Sequence, residues 1–124
     1  MSLQDLGRTG ERAARRAVKK HGYKVLATNW RCRQGEIDIV ATHKGVLCFV
    51  EVKTQSAFSD VPAAEEVTTV KQHHLTRAAA EFLRRTGRLE RPCRFDVVSV
   101  VVDENGRPTI EIIPDAFPAL GPHG

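Results

Sequence analysis

Between Leu3 and His21 the apolar and small residues recur at helical spacing. Leu6, Gly10, Ala13, Ala14, Ala17 and His21 fall on one side, and Arg8, Arg12, Arg15, Arg16, Lys19 and Lys20 on the other. The pattern predicts an amphipathic helix, opened by Ser2 with Asp5 three residues on and stopped at His21-Gly22. Small residues on its inner side let such a helix approach a sheet closely. Glu11 lies at the edge of that inner side, near Gly7, Ala14 and Val18, and so is not simply part of the solvated basic face. Beyond Gly22 the period shortens to two, giving strands at Lys24 to Trp30, Glu36 to Ala41 and Val46 to Lys53. Ser56 to Val67, with Pro62, reads as a loop containing at most a short turn. A second helix follows, capped by Thr69 with Gln72 and running to about Arg85 before Gly87. Val70, Leu75, Ala78, Ala79, Phe82 and Leu83 make its buried stripe. Arg94 to Val102 is a long, β-branched fourth strand, and Asn105-Gly106 turns it into a short fifth, Thr109 to Ile113. The order α-β-β-β-α-β-β implies an α/β fold: a mixed sheet flanked by helices, one domain over 1–117 with a frayed tail over 118–124.

A chain of 124 residues, 41% hydrophobic and 27% charged, suits one globular domain with a single core and excludes a disordered chain. Nineteen Lys and Arg against fifteen Asp and Glu give a net charge of +4 and a pI near 9.3, which permits a polyanionic partner without requiring one. The distribution says more. Arg8, Arg12, Arg15, Arg16, Lys19, Lys20, Lys24, Arg31 and Arg33 all lie in the first third. Cys32, Cys48 and Cys93 form no CxxC spacing, and Cys48 alternates with Val46, Val50 and Val52, as a core residue does; a reduced protein without structural zinc is expected. There is no apolar leader-like segment at the N-terminus and no run near 18 apolar residues, so a cytoplasmic protein with no membrane partner is expected.

Against this background, two strands carry acids where a half-buried strand takes apolar residues: Gly35-Glu36-Ile37-Asp38-Ile39-Val40-Ala41 and Val50-Glu51-Val52-Lys53-Thr54-Gln55. Carboxylates are costly to desolvate unless a cation or hydrogen bonds compensate them. Lys53 shares a face with Glu51, because strand side chains alternate. If Lys44-Gly45 is a two-residue turn, His43 pairs with Val46 and Asp38 lies opposite Glu51, with Cβ atoms roughly 4.5–5.5 Å apart. A four-residue loop keeps both acids on one face as diagonal neighbours; an unbulged three-residue loop puts them on opposite faces. Two carboxylates and an ammonium on one wall suit a divalent metal and a phosphate. Each motif alone has a plainer reading, a surface Glu-Lys pair or an exposed Asp.

The other polar residues divide between site and scaffold. Glu36 either assists Asp38 or pairs with an arginine of the first helix. Lys71, in the first turn of the second helix, opposes the macrodipole and is either a phosphate contact or solvated. Adjacent His73 and His74 point to different helix faces and make no metal pair. Arg12, Arg16, Arg31 and Arg33 are candidate phosphate contacts. Trp30 is either core or a base-stacking residue.

The motifs together resemble a known family. Gly35-Glu36-Ile37-Asp38, then thirteen residues to Glu51-Val52-Lys53, preceded by a helix bearing Glu11, is similar to the PD-(D/E)XK nuclease superfamily, with its restriction-endonuclease-like fold and resolvases of branched DNA. More closely, Leu6-Gly7-Arg8-Thr9-Gly10-Glu11, Asn29 to Asp38, Phe49 to Thr54, Ala64 to Thr68, Lys71 and Cys93-Arg94-Phe95-Asp96-Val97 resemble the YraN family of small bacterial endonuclease-like proteins. The resemblance implies Asp38, Glu51 and the Val52 carbonyl as ligands of Mg²⁺ or Mn²⁺. It implies Lys53 as the residue that orients the attacking water, Glu11 as an outer acid, and Gln55 where many relatives carry a basic residue. The superfamily's leading Pro-Asp is absent, since Gln34 to Ile37 precede Asp38. The implied activity is Mg²⁺-dependent hydrolysis of DNA, selecting structure rather than sequence, because so short a chain has no spare module for reading base edges. The alternatives are an accessory protein that binds nucleic acid without turnover, or an RNase; a homodimer is left open.

Overall fold

The computed structural model describes residues 2–57 and 67–120. Its elements are α1 (Leu3–Lys20), β1 (Lys24–Cys32), β2 (Gly35–His43), β3 (Val46–Ser56), α2 (Thr69–Thr86), β4 (Cys93–Val102) and β5 (Pro108–Phe117). They form the expected α/β order, with one five-stranded mixed sheet in the order β1-β2-β3-β4-β5. β3 and β4 run parallel, joined by the crossover that contains α2, and the other neighbours are antiparallel.

The β2–β3 hairpin takes the two-residue turn. His43 pairs with Val46, and Lys44 and Gly45 have φ of 51° and 81°, the left-handed pair that matches strand twist. α1 opens on a Ser2–Asp5 capping box, and its buried residues are Gly10, Ala14 and Val18. His21, expected on the inner side, is exposed: as the C-cap it lies past the last turn, its Nδ1 2.9 Å from the Ala17 carbonyl oxygen. α2 covers the opposite face with Leu75, Ala78, Ala79 and Phe82. Its N-cap is Thr68 rather than Thr69, the Thr68 hydroxyl accepting from the Lys71 N–H at 3.2 Å. Val70, expected in the stripe, is 64% exposed, because it sits about 130° around the helix from the stripe's centre at roughly 100° per residue. β5 runs past Ile113 to Phe117. It tolerates Pro114 because β5 is an edge strand and its register with β4 shifts between Ile113 and Phe117. The expected loop from Ser56 to Val67 lies mostly outside the described residues, with Ser56 itself ending β3. Of the tail, the Leu120 N–H donates to Thr76 Oγ1 at 3.2 Å, and 121–124 lie outside the described residues.

The sheet separates two cores. On the α2 side lie Val40, Leu47, Phe49, Phe95, Val97 and Phe82; on the α1 side lie Ala14, Val18, Ile39, Ala41, Cys48, Val50, Val98 and Val100. One residue breaks the alternation. Ile37 is buried in the α2-side core, although Ile39, two residues on, belongs to the α1 side. Residues two apart share a face in a regular strand, so β2 turns over between them. Its pairing with β3 ends there, at Ile39↔Val50, while its pairing with β1 continues to Cys32↔Gly35. β2 and β3 therefore part as a fork at Asp38.

Candidate active site

Continued one step, the hairpin register sets Asp38 opposite Glu51, across the mouth of this fork. With β2 no longer in the ladder, the Val52 N–H has no strand partner, and the Asp38 carboxylate takes it at 2.8 Å. A residue's N–H and C=O point to the same side of a strand, so the Val52 carbonyl also faces the fork. Glu51 is buried, with a side chain only 7% exposed. Its Oε1 lies 3.9 Å from Lys53 Nζ and 3.7 Å from Lys71 Nζ. Its Oε2 is buried with no hydrogen-bond partner. An unpartnered buried carboxylate oxygen is costly, and natural folds retain such groups where a ligand or ion completes them.

The electrostatics follow from this crowding. Burial pushes the Glu51 carboxyl up to about 7, with the Asp38 charge adding and Lys71 and Lys53 opposing. Burial likewise raises Asp38; the Val52 N–H opposes the rise, and the charge of Glu11 adds to it. Two carboxylates that resist being charged together form a site that favours a cation between them. Among the described residues no three His, Cys, Asp or Glu side chains form a ready-made metal cage. An ion here would rest on Asp38, Glu51, the Val52 carbonyl and water. That oxygen set, with several waters retained, suits Mg²⁺ or Mn²⁺ better than a metal bound by an all-protein shell.

The remaining candidates are scattered more widely. Glu11 acts on Asp38 through its charge, from a partly buried position on α1 beside Gly10. Arg12 and Arg16 are exposed on α1, and none of that helix's six Lys and Arg makes an ion pair among the described residues. Arg31 is 3.4 Å from Glu36, so Glu36 pairs with its strand neighbour and not with the first helix. Register explains this: Arg31 and Glu36 face each other across β1 and β2. Arg33 is exposed in the β1–β2 turn, whereas Gln55 is buried, 9% exposed. Trp30 packs edge-on against Phe82 with the Arg85 guanidinium over its ring, so it serves the core. Lys71 reaches Glu51 itself.

The sequence reading assigned no role to one buried cluster. Asp96, fully buried on the other face of the sheet, accepts from the Tyr23 hydroxyl at 2.7 Å, Arg94 Nε at 2.9 Å and the Asp115 N–H at 2.9 Å. Arg94 also donates to the Tyr23 hydroxyl and meets His43 Nδ1, both at 3.1 Å. The cluster ties α1's exit to β4 and to the irregularity in β5, where Asp115 has a φ of 51°. The signal was the charged pair Arg94 and Asp96, two apart in an otherwise β-branched strand.

The chain is similar to known sequences over most of its length. The uncharacterised protein family UPF0102 matches residues 10–100, a span containing both acids and both lysines of the site. The chain belongs to this family. A UPF0102 protein of Symbiobacterium thermophilum is 44% identical over 92% of this chain and 97% of its own length. One from Geobacter metallireducens is 42% identical over 94% and 97% respectively, and one from Chlorobium phaeobacteroides 43% over 83% of each chain. The YraN-like assignment expected from the motifs is thus correct at family level. No described helix of this UPF0102 protein is long and apolar enough to cross a membrane.

Proposed function

We propose that this UPF0102 protein is a Mg²⁺-dependent endonuclease acting on DNA, with the restriction-endonuclease-like site implied by its motifs. The observation that supports this most strongly is the Glu51 carboxylate: buried, one oxygen unpartnered, set across a strand fork from Asp38 and beside two ammonium groups. A purely structural glutamate at that position would leave one buried oxygen without a partner.

In this reading Asp38, held by the Val52 N–H, and Glu51 would hold the ion together with the Val52 carbonyl. The ion, when bound, supplies Lewis-acid polarisation of the phosphate and a water of lowered pKa. Lys53, on Glu51's face of β3, orients the attacking water and balances charge that builds on the phosphate. Glu11, at the site's outer edge, orders further water. Arg12 and Arg16 on α1, with Arg33, hold the backbone of the nucleic acid away from the reacting bond. Selection falls on the shape of the DNA, with repair or recombination intermediates as natural substrates.

The test is cleavage of labelled branched DNA, duplex, single strand and RNA in Mg²⁺, by the wild type and Asp38→Ala. The expected result is cutting of a DNA substrate that disappears in the variant. Cutting of RNA alone would make the protein an RNase. Among the described residues no third His, Cys, Asp or Glu joins Asp38 and Glu51 in a metal cluster, which favours one second reading, an accessory that binds nucleic acid without turnover. Binding with neither cleavage nor Mn²⁺ uptake would establish it.

A further inference from the structure

Lys71 reaches the site from α2, whereas Asp38, Glu51 and Lys53 come from the sheet. Two features make a lysine unfavourable at that position. It precedes Leu75 by four residues and so continues the stripe that buries Leu75, Ala78, Ala79 and Phe82, where packing calls for an apolar side chain. It also stands in the helix's first turn, where a cation opposes the macrodipole, and no acidic residue in that turn offsets it. The contact it gains is Glu51 Oε1 at 3.7 Å, an oxygen that already has Lys53 at 3.9 Å. Two ammonium groups converge on one oxygen while Oε2 stays bare. The side chain of Lys71 is 39% exposed against 24% for Lys53, so Lys71 is the lysine that can turn outward without unpacking.

We propose that Lys71 is a phosphate-positioning residue held in reserve on Glu51. In the ion-free protein its ammonium stands in for part of the missing positive charge. When a divalent ion takes Glu51, Lys71 is repelled and swings along its flexible stem to a non-bridging oxygen of the nucleic-acid phosphate. Lys53, more enclosed, stays with the site. This rests on the metal-dependent reading above and adds to it a division of labour between the two lysines.

The variant Lys71→Gln separates this role from an ordinary ion pair, because it moves two equilibria in opposite directions. Calorimetric titration should show Mn²⁺ bound at least about fivefold more tightly than by the wild type, the scale of losing one unit charge near 4 Å at the dielectric of water and a lower bound for a buried carboxylate. Affinity for branched DNA, measured in Ca²⁺ against salt, should fall. Its log–log slope should become shallower by about 0.9, the share of one phosphate contact. Lys71→Arg should restore that slope. Unchanged or weaker Mn²⁺ binding by Lys71→Gln would overturn the stand-in role and leave the metal site standing. Tighter Mn²⁺ binding with an unchanged slope would overturn the phosphate contact. A wild type that takes up no Mn²⁺ would remove the metal reading and this inference with it.

Discussion

Gly10→Ala sets two physical effects of opposite sign against each other. In a helix interior the exchange favours folding by about 1 kcal/mol through backbone propensity. At Gly10, however, α1 rests on β3: a Cβ built there falls 2.7 Å from both Cβ and Cγ2 of Thr54 and closer still to Oγ1. Rotating Thr54 moves Oγ1 and Cγ2 but not Cβ, so the helix and the strand must part. Overpacking of a fitted contact costs about 1–3 kcal/mol, and an anchored atom at this distance lies toward the upper end. The expected net destabilisation is about 1–2 kcal/mol by urea unfolding. Gly7→Ala is the internal control, since its Cβ would meet nothing within 4 Å, and it should stabilise by up to about 1 kcal/mol. In a Thr54→Gly background, which removes that Cβ, the cost of Gly10→Ala should shrink by about 1 kcal/mol or more. Glu11 follows Gly10 and Thr54 follows Lys53, so parting the two elements should also weaken Mn²⁺ binding. If Gly10→Ala stabilises as Gly7→Ala does, the close approach of α1 to the site strand is refuted.

Asp96→Ala should cost about 3–5 kcal/mol in urea unfolding, because it strands the partly buried Arg94 and the Tyr23 hydroxyl; a loss under about 1 kcal/mol would mean the cluster is not a structural tie. Glu51 binds its proton more tightly folded, at about 7, than unfolded, near 4.5. The native state therefore holds more protons between those values, and stability at this group is lost as pH rises through that window. Relative to wild type, Glu51→Gln should gain about 1–3 kcal/mol at pH 8 over its effect at pH 4, read from unfolding curves without metal; a pH-independent difference would contradict the assigned burial. Replacing Arg12 and Arg16 with alanine should flatten the salt dependence of DNA affinity by up to about 1.8 in slope, and no change would leave α1's basic face merely solvated.

The parts of this molecule legible in its sequence are those where periodicity and turn chemistry act locally. Of the hairpin loops the sequence allowed, the two-residue Lys44-Gly45 turn is the one formed, and with it comes the register that sets Asp38 opposite Glu51. The small residues of α1 foretold a close approach to the sheet, though not which strand it meets. What escaped depends on contacts between distant elements. The turnover of β2 between Ile37 and Ile39 leaves no local mark, since both are isoleucines and both are fully or almost fully buried. The link between Tyr23, Arg94 and Asp96 spans 73 positions of sequence. The pairing of Glu36 with Arg31 depends on the register between β1 and β2, which the β2–β3 turn does not set. Lys71 could have been read more sharply: a lysine four residues before Leu75 occupies a core-facing position and implies a buried anion across from it.

The central claim is that Asp38 and Glu51 share a divalent ion at the fork of β2 and β3. A crystal soaked with Mn²⁺ and measured at an energy where manganese scatters anomalously tests it directly. The account predicts one anomalous peak between the two carboxylates and beside the Val52 carbonyl, with Glu51 Oε2 now engaged and Lys71 turned away. No peak at the fork, with Glu51 still resting on its two lysines, would contradict it.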